Sequence, residues 1–254
     1  MVNPVQIEQR GAVLVIAINR PQQRNAVTHA VSLAIADALD RLDADPELRV
    51  GVITGRGSSF CAGMDLKAFA DGERPELEGR GFAGITEAPP KKPVIAAVEG
   101  FALAGGCELA LACDLIVAAE TAWFGLPEVA RGLVAGSGGL VRLPRRIPEA
   151  IALEYALTGT RMDAATAHRW GLVNRITPEG RALEGALALA EAITANAPLS
   201  TAMTKRIVRE SRDWPEDEIW DRQRPLVDGV LASADAAEGA RAFAEKRPAQ
   251  WTGR

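Results

Sequence analysis

Glu108 and Glu128 stand twenty residues apart, each in its own glycine-marked frame: Ala102-Leu103-Ala104-Gly105-Gly106-Cys107-Glu108 and Phe124-Gly125-Leu126-Pro127-Glu128. A third glycine-marked segment, Phe60-Cys61-Ala62-Gly63-Met64-Asp65, lies upstream. Carboxylates pass protons, and backbone N–H groups freed by glycine-rich turns can hold a developing oxyanion. Together they suit addition of water next to an activated carbonyl. Each part also has a plainer explanation. Gly105-Gly106 can be a tight turn from a strand-like run into a helix. Glu108 in the first turn of that helix is favourably placed against the helix dipole, and Glu128 can be a surface acid near a helix start. The glycines do not form a phosphate loop, because no Gly-Lys-Ser/Thr follows them.

Other reactive side chains are poorly placed for a nucleophilic mechanism. Cys61 has no histidine or other clear base beside it in sequence. The two histidines, His29 and His168, each sit within a helical pattern and are expected to be structural or exposed. That scarcity argues against a histidine-based triad and against a multi-histidine metal site.

The elements that must position the acids follow from periodicity. Residues 13–18, 50–53, 94–98 and 115–117 are short continuous apolar runs of strand length. Residues 25–43 read as a helix, with Val31, Ile35, Ala38, Leu39 and Leu42 at helical spacing and Thr28 available as a cap. Asp65 can cap a short helix over 66–70. Buried strands alternating with helices predict an α/β core. The polar, proline-flanked stretch 70–93 is expected to be mobile, with at most a short helix inside. From about residue 139 helices dominate, with candidates at 150–157, 163–170, 181–195, 200–211, 215–230 and 236–245. The expected division is a core over 1–195 and a helical region over 196–254.

Bulk properties narrow the class. The 254 residues are 48% hydrophobic and 24% charged, an ordinary globular balance with enough chain for a sizeable core. The formal net charge of −4 does not suggest a nucleic-acid partner. The densest basic run, 142–146, reads as a solvated edge, with a phosphate contact as the lesser alternative. Cys61, Cys107 and Cys113 have no metal spacing and an odd count, which fits a reduced, cytoplasmic protein with no metal. The N-terminus lacks a signal-peptide apolar block, and the most apolar run, 109–119, is too short and too broken by Asp114 to span a bilayer. No membrane association is expected.

Taken in order, these segments resemble the enoyl-CoA hydratase (crotonase) family. The resemblance runs nearly end to end: Asn19-Arg20-Pro21 with Arg24-Asn25-Ala26, the 60–66 segment, 100–114, 124–128, Gly136-Ser137-Gly138-Gly139, and finally Glu238-Gly239, Phe243 and Glu245-Lys246-Arg247. It implies a spiral of ββα units followed by a helical C-terminal trimerisation region, and a homotrimer or hexamer. By motif, Met64 and Gly105 would supply the two oxyanion-hole N–H groups, although Met64 is bulkier than the small residue often found there. Glu108 would activate water for attack at Cβ, and Glu128 would protonate Cα. The acyl-CoA substrate would lie against Arg24, Ala26, Ala62, Asp65, Leu66, Gly106 and Pro127, with Lys67, Lys246 and Arg247 as weaker phosphate candidates. No cofactor is implied, since CoA is part of the substrate. The resemblance points first to hydration of a trans-2-enoyl-CoA. A carnitinyl-CoA (crotonobetainyl-CoA) dehydratase or another lyase or isomerase of the family is the alternative. A non-catalytic acyl-CoA-binding protein is a third class, which would not need both acids.

Overall fold

The computed structural model describes residues 3–254. A six-stranded sheet forms its centre. The strands are β1 (Val5–Arg10), β2 (Val13–Ile18), β3 (Val50–Gly55), β6 (Val94–Val98), β8 (Leu115–Ala119) and β11 (Arg175–Thr177), in the spatial order β1-β2-β3-β6-β8-β11. β1 and β2 form an antiparallel hairpin, and every later neighbour is parallel. A parallel sheet covered on both faces needs buried residues at every position, which explains the near-continuous apolar runs of the inner strands β2, β3, β6 and β8; the edge strands β1 and β11 are mostly exposed. In β2, Leu14, Ile16 and Ile18 enter one core cluster with the helix α1 (His29–Ala44), while Val13 and Val15 enter a second. The second cluster is closed by Ala186 and Ala190 of α7 (Ala182–Thr194).

A second, three-stranded sheet runs β10 (Met162–Asp163), β9 (Trp123–Gly125), β7 (Phe101–Leu103). Its middle rung lines up Ala102, Phe124 and Met162, and an isolated bridge from Cys61 extends it by one more residue. Successive turns of the chain therefore pass through the large sheet, cross this rung and return. Three residues beyond the rung positions Cys61, Ala102 and Phe124 come Met64, Gly105 and Pro127. The repeat thus delivers the three glycine-marked segments side by side at one end of the rung. This is the ββα spiral that the resemblance implies.

Local chemistry sets the element ends. Thr28 Oγ1 accepts from Val31 N at 3.4 Å and caps α1, whose buried face is Val31, Ile35, Ala38, Leu39 and Leu42. The helix begins at His29 and not at Asn25, because Asn25 has φ 56° and its fully buried side chain is committed to the loops. It accepts from Arg20 N and donates to Arg56 O and Ser59 O. Asp65 caps α2 (Leu66–Ala70) by accepting from Lys67 N and Ala68 N.

Two expectations are corrected. The 70–93 stretch is anchored and contains no helix beyond α2: a two-stranded ribbon, β4 (Glu76–Leu77) and β5 (Gly81–Phe82), leads into buried Phe82, Ala83, Ile85 and Thr86. Ser32 Oγ donates to Pro75 O at 2.5 Å, and Arg80 pairs with Asp40 at 2.7 Å. Polar flanks obscured a small apolar centre that packs into the main core with α1. The 142–146 run is a solvated edge only at Arg145, which is exposed. Arg142 and Arg146 turn inward from the short helix α4 (Gly139–Arg142) and the turn after it. Arg146 Nη2 donates to Leu111 O at 3.0 Å and to Cys113 O, carbonyls at the end of α3 (Gly105–Ala112) that have few other donors.

The C-terminal region carries α8 (Pro198–Glu210), α9 (Ile219–Leu231) and α10 (Ala234–Glu245). α8 is tied to the core by Asp114, which pairs with Lys205 and Arg209, each at 2.7 Å. Among the described residues no helix is long and apolar enough to cross a membrane.

Candidate active site

Gly105 opens α3, so its N–H has no intrahelical acceptor. Among the described residues neither that N–H nor the N–H of Met64 is taken by a backbone or side-chain acceptor. The two strands of chain touch: a Cβ on Gly63 would lie 3.1 Å from Gly105 N and 3.1 Å from Leu103 O. The turn before Gly105 is strained. Ala104 has φ 50° and ψ −127°, a conformation that a side chain rarely adopts, and its N–H is fixed on Gly125 O at 2.9 Å. The strain aims the start of α3 at the 63–64 segment. Gly105 itself allows no side chain, because a Cβ there would come within 2.6 Å of the Phe82 ring.

Glu108 is 3% exposed and lies one turn into α3. Its Oε1 accepts from Ser137 N at 2.7 Å and from Gly139 N at 2.9 Å. Burial pushes its pKa up, opposed by those two N–H donors and the Arg142 charge, and the net direction is upward. Arg142 holds the donor loop in place through Nη1 to Ser137 O at 3.2 Å and Nη2 to Thr86 O.

Glu128 follows Pro127 in a single 3-10 turn, Pro127–Arg131. Its Oε2 is buried and, among the described residues, has no hydrogen-bond partner. Burial is again the main cause of a raised pKa, and the neighbouring Glu108 charge adds to it. The two acids are therefore close enough to feel one another, but in unequal surroundings. Glu108 has donors that favour the carboxylate, whereas Glu128 has a bare oxygen that favours the acid. That asymmetry can supply a base and a proton donor to one small molecule between them.

The other sequence-derived positions fall into two groups. Arg24, Ala26, Ala62, Asp65 and Leu66 cluster where the loop before α1 meets the loop before α2: Ala62 N donates to Arg24 O, and Val27 bridges to Met64. Arg24 and Leu66 are exposed there. Asp65 uses its carboxylate internally, on its own helix and on Arg20 at 2.9 Å. Burial raises its pKa, but the Arg20 bond and the α2 N–H groups outweigh this, and the net shift is downward. Gly106 and Pro127 lie beside the acids in the chain, and Gly106 packs against the backbone of Cys61. Among the weaker phosphate candidates, Lys67 and Lys246 are exposed, and Arg247 is held by Glu238 and Glu245.

Cys61 is ruled out as a nucleophile by burial, which pushes its thiol up to about 12. His29 Nδ1 and His168 Nδ1 each face a backbone carbonyl, of Arg74 and Val173. Sequence reasoning missed the roles of Ser137, Gly139 and Arg142. The available signal was the glycine run 136–139, whose tight packing against Glu108 could not be read without the fold.

A family model described as enoyl-CoA hydratase/isomerase matches residues 8–254. The chain belongs to that family. An enoyl-CoA hydratase of Mycobacterium marinum, known from its crystal structure, is 61% identical over 99% of this chain and 100% of its own, with a TM-score of 0.98. The carnitinyl-CoA hydratase of Mycobacterium avium is 48% identical over 100% of both chains, with a TM-score of 0.80. The carnitinyl-CoA dehydratase of Salmonella typhi is 45% identical over 262 residues and 100% of both chains. The names hydratase and dehydratase describe one reversible chemistry, and the crotonase-type fold is common to the family.

Proposed function

We propose that this chain is an enoyl-CoA hydratase that adds water reversibly across the 2,3 double bond of a trans-2-enoyl-CoA, giving a 3-hydroxyacyl-CoA. The observation that carries the reading is the unequal pair, Glu108 with two N–H donors and Glu128 with a bare buried oxygen, together with the N–H groups of Met64 and Gly105, which no acceptor among the described residues takes. The thioester oxygen would accept from both N–H groups, which stabilise the enolate as charge develops. Water held between the acids gives a proton to Glu108 as its oxygen bonds to Cβ, and Glu128 gives its proton to Cα. Proton count and charge balance, and nothing is oxidised or reduced, so the proposal includes no cofactor. CoA enters as part of the substrate, along Arg24, Ala26, Ala62, Asp65 and Leu66.

A cavity of 560 Å³ borders Glu128, with Val129, Val134, Ala135, Leu140 and Leu153 in its wall. This lining suits a hydrocarbon acyl chain. The second reading, a carnitinyl-CoA dehydratase, is favoured by the Salmonella typhi and Mycobacterium avium relatives. A trimethylammonium group is usually held by aromatic rings, and none lines this cavity, whose charged members are Glu128, Glu149 and Arg145. Comparing kcat/KM for crotonyl-CoA with that for crotonobetainyl-CoA tests the choice. A higher value for crotonobetainyl-CoA would reverse it, and binding of both without turnover would leave only an acyl-CoA-binding protein.

Assembly as a homotrimer or hexamer through the C-terminal helices belongs to the same proposal. Trp220, Leu231 and Phe243 are 67%, 67% and 88% exposed in the single chain, as surfaces awaiting a neighbour would be. Three buried free thiols suit a reducing, cytoplasmic setting.

A further inference from the structure

A second cavity of 470 Å³ lies where the α4 end, Arg145–Arg146 and α8 meet; it shares Arg145 with the cavity beside Glu128, but neither Glu108 nor Glu128 lines it. Its wall carries six basic side chains, Arg142, Arg145, Arg146, Lys205, Arg209 and Arg212, against one carboxylate, Asp114. The chain as a whole carries a net charge of −4, so this concentration is local. Asp114 is already engaged by Lys205, Arg209 and the N–H of Val94. Arg145 pairs with exposed Asp213 at 3.5 Å, and the Arg212 side chain, exposed on the 3-10 turn after α8, lines the same cavity. Arg145 and Arg212 are both exposed while lining the cavity, so their guanidinium groups are reachable from solvent. Burial first, and then the charges of Arg209 and Arg142, hold the Arg146 pKa down at about 10.

We propose that this cavity binds a phosphate-bearing anion, with Arg145 and Arg212 as its adaptable donors and the inner arginines as fixed positive charge. Planar guanidinium forks match phosphate oxygens two at a time, and like charges crowded in a partly enclosed space are relieved by a multiply charged anion. The site is distinct from the one proposed for the CoA nucleotide, because Arg24, Asp65 and Lys67 do not line it.

The test uses inorganic pyrophosphate as the probe, titrated calorimetrically into the full-length protein at constant ionic strength, with and without saturating CoA. Saturable one-site binding is expected, unchanged by CoA. The double variant Arg145→Ala/Arg212→Ala should bind at least about tenfold more weakly, since hydrogen bonds from charged donors are the strong ones. A control that removes two exposed cations elsewhere, Arg10→Ala/Arg41→Ala, should bind as the wild type does. Absence of saturable binding, displacement by CoA, or equal weakening in the control would each overturn the proposal. If the double variant fails to fold, Arg212→Ala alone takes its place, with at least a severalfold weakening expected and none overturning the proposal.

Discussion

Gly139 and Glu108 are packed so closely that one methyl group would separate them. The Gly139 N–H donates to Glu108 Oε1 at 2.9 Å, and a Cβ on Gly139 would lie 2.9 Å from Glu108 Cγ and 3.1 Å from Oε1. The glycine is there for space and not for backbone freedom, since it opens α4 with helical geometry. Gly139→Ala should therefore fold, at a cost of about 1–3 kcal/mol for overpacking, while pushing the carboxylate off its donors. Displacing a reacting group by about 1 Å costs on the order of 10²-fold in rate. Crotonyl-CoA turnover alongside thermal unfolding checks this, and a wild-type rate would mean that the donor loop does not position Glu108.

Glu128 should destabilise the fold at neutral pH. Its pKa is raised in the folded protein above the ordinary 4.5, so the folded state holds a proton more tightly than the unfolded state. Stability then falls as pH rises from about 4.5 through the folded value, and is recovered on acidification. Glu128→Gln removes the charge but keeps the shape. Its melting temperature should exceed that of wild type at pH 7, and the advantage should vanish near pH 4 and below, as followed by circular dichroism across pH. A constant difference at all pH values would contradict the assigned direction.

Arg142 acts on Glu108 from behind. Its guanidinium fixes Ser137 O, and its charge lowers the Glu108 pKa against the larger effect of burial. Arg142→Met should slow hydration by about tenfold or more and move the acid limb of the kcat/KM profile to higher pH, because the base then protonates more readily. Arg142→Lys should restore much of the pH profile but less of the rate, since an ammonium replaces the charge without the fork. A slower variant with an unmoved acid limb would assign Arg142 a purely structural role.

How much of this was legible in the sequence depended on how local each signal was. The strands at 13–18 and 94–98, the capped α1 and the Asp65 cap were readable because apolar period and cap chemistry are local properties. Glu108, Glu128 and the glycine turns were readable as parts, though the rung that aligns 61, 102 and 124 is a pairing between distant segments that no local pattern encodes. The buried Phe82 to Thr86 segment was misread as mobile because its apolar residues are few and widely flanked by charge. Arg146 was misread as a surface residue because the carbonyls that hold it belong to the end of α3, more than thirty residues earlier. Charge count alone carries no information about such partners.

The central claim, that Glu108 and Glu128 act together on one water molecule, is tested most directly by single-turnover hydration of crotonyl-CoA followed at the enoyl-thioester absorbance. The proteins to compare are Glu108→Gln, Glu128→Gln and the double variant, each shown to be folded. Each single variant should lose about 10²–10⁴-fold in rate, and the double variant should be little slower than the slower single, because the two groups serve one transition state. A near-wild-type rate in either folded single variant would contradict the claim, as would losses that multiply in the double variant.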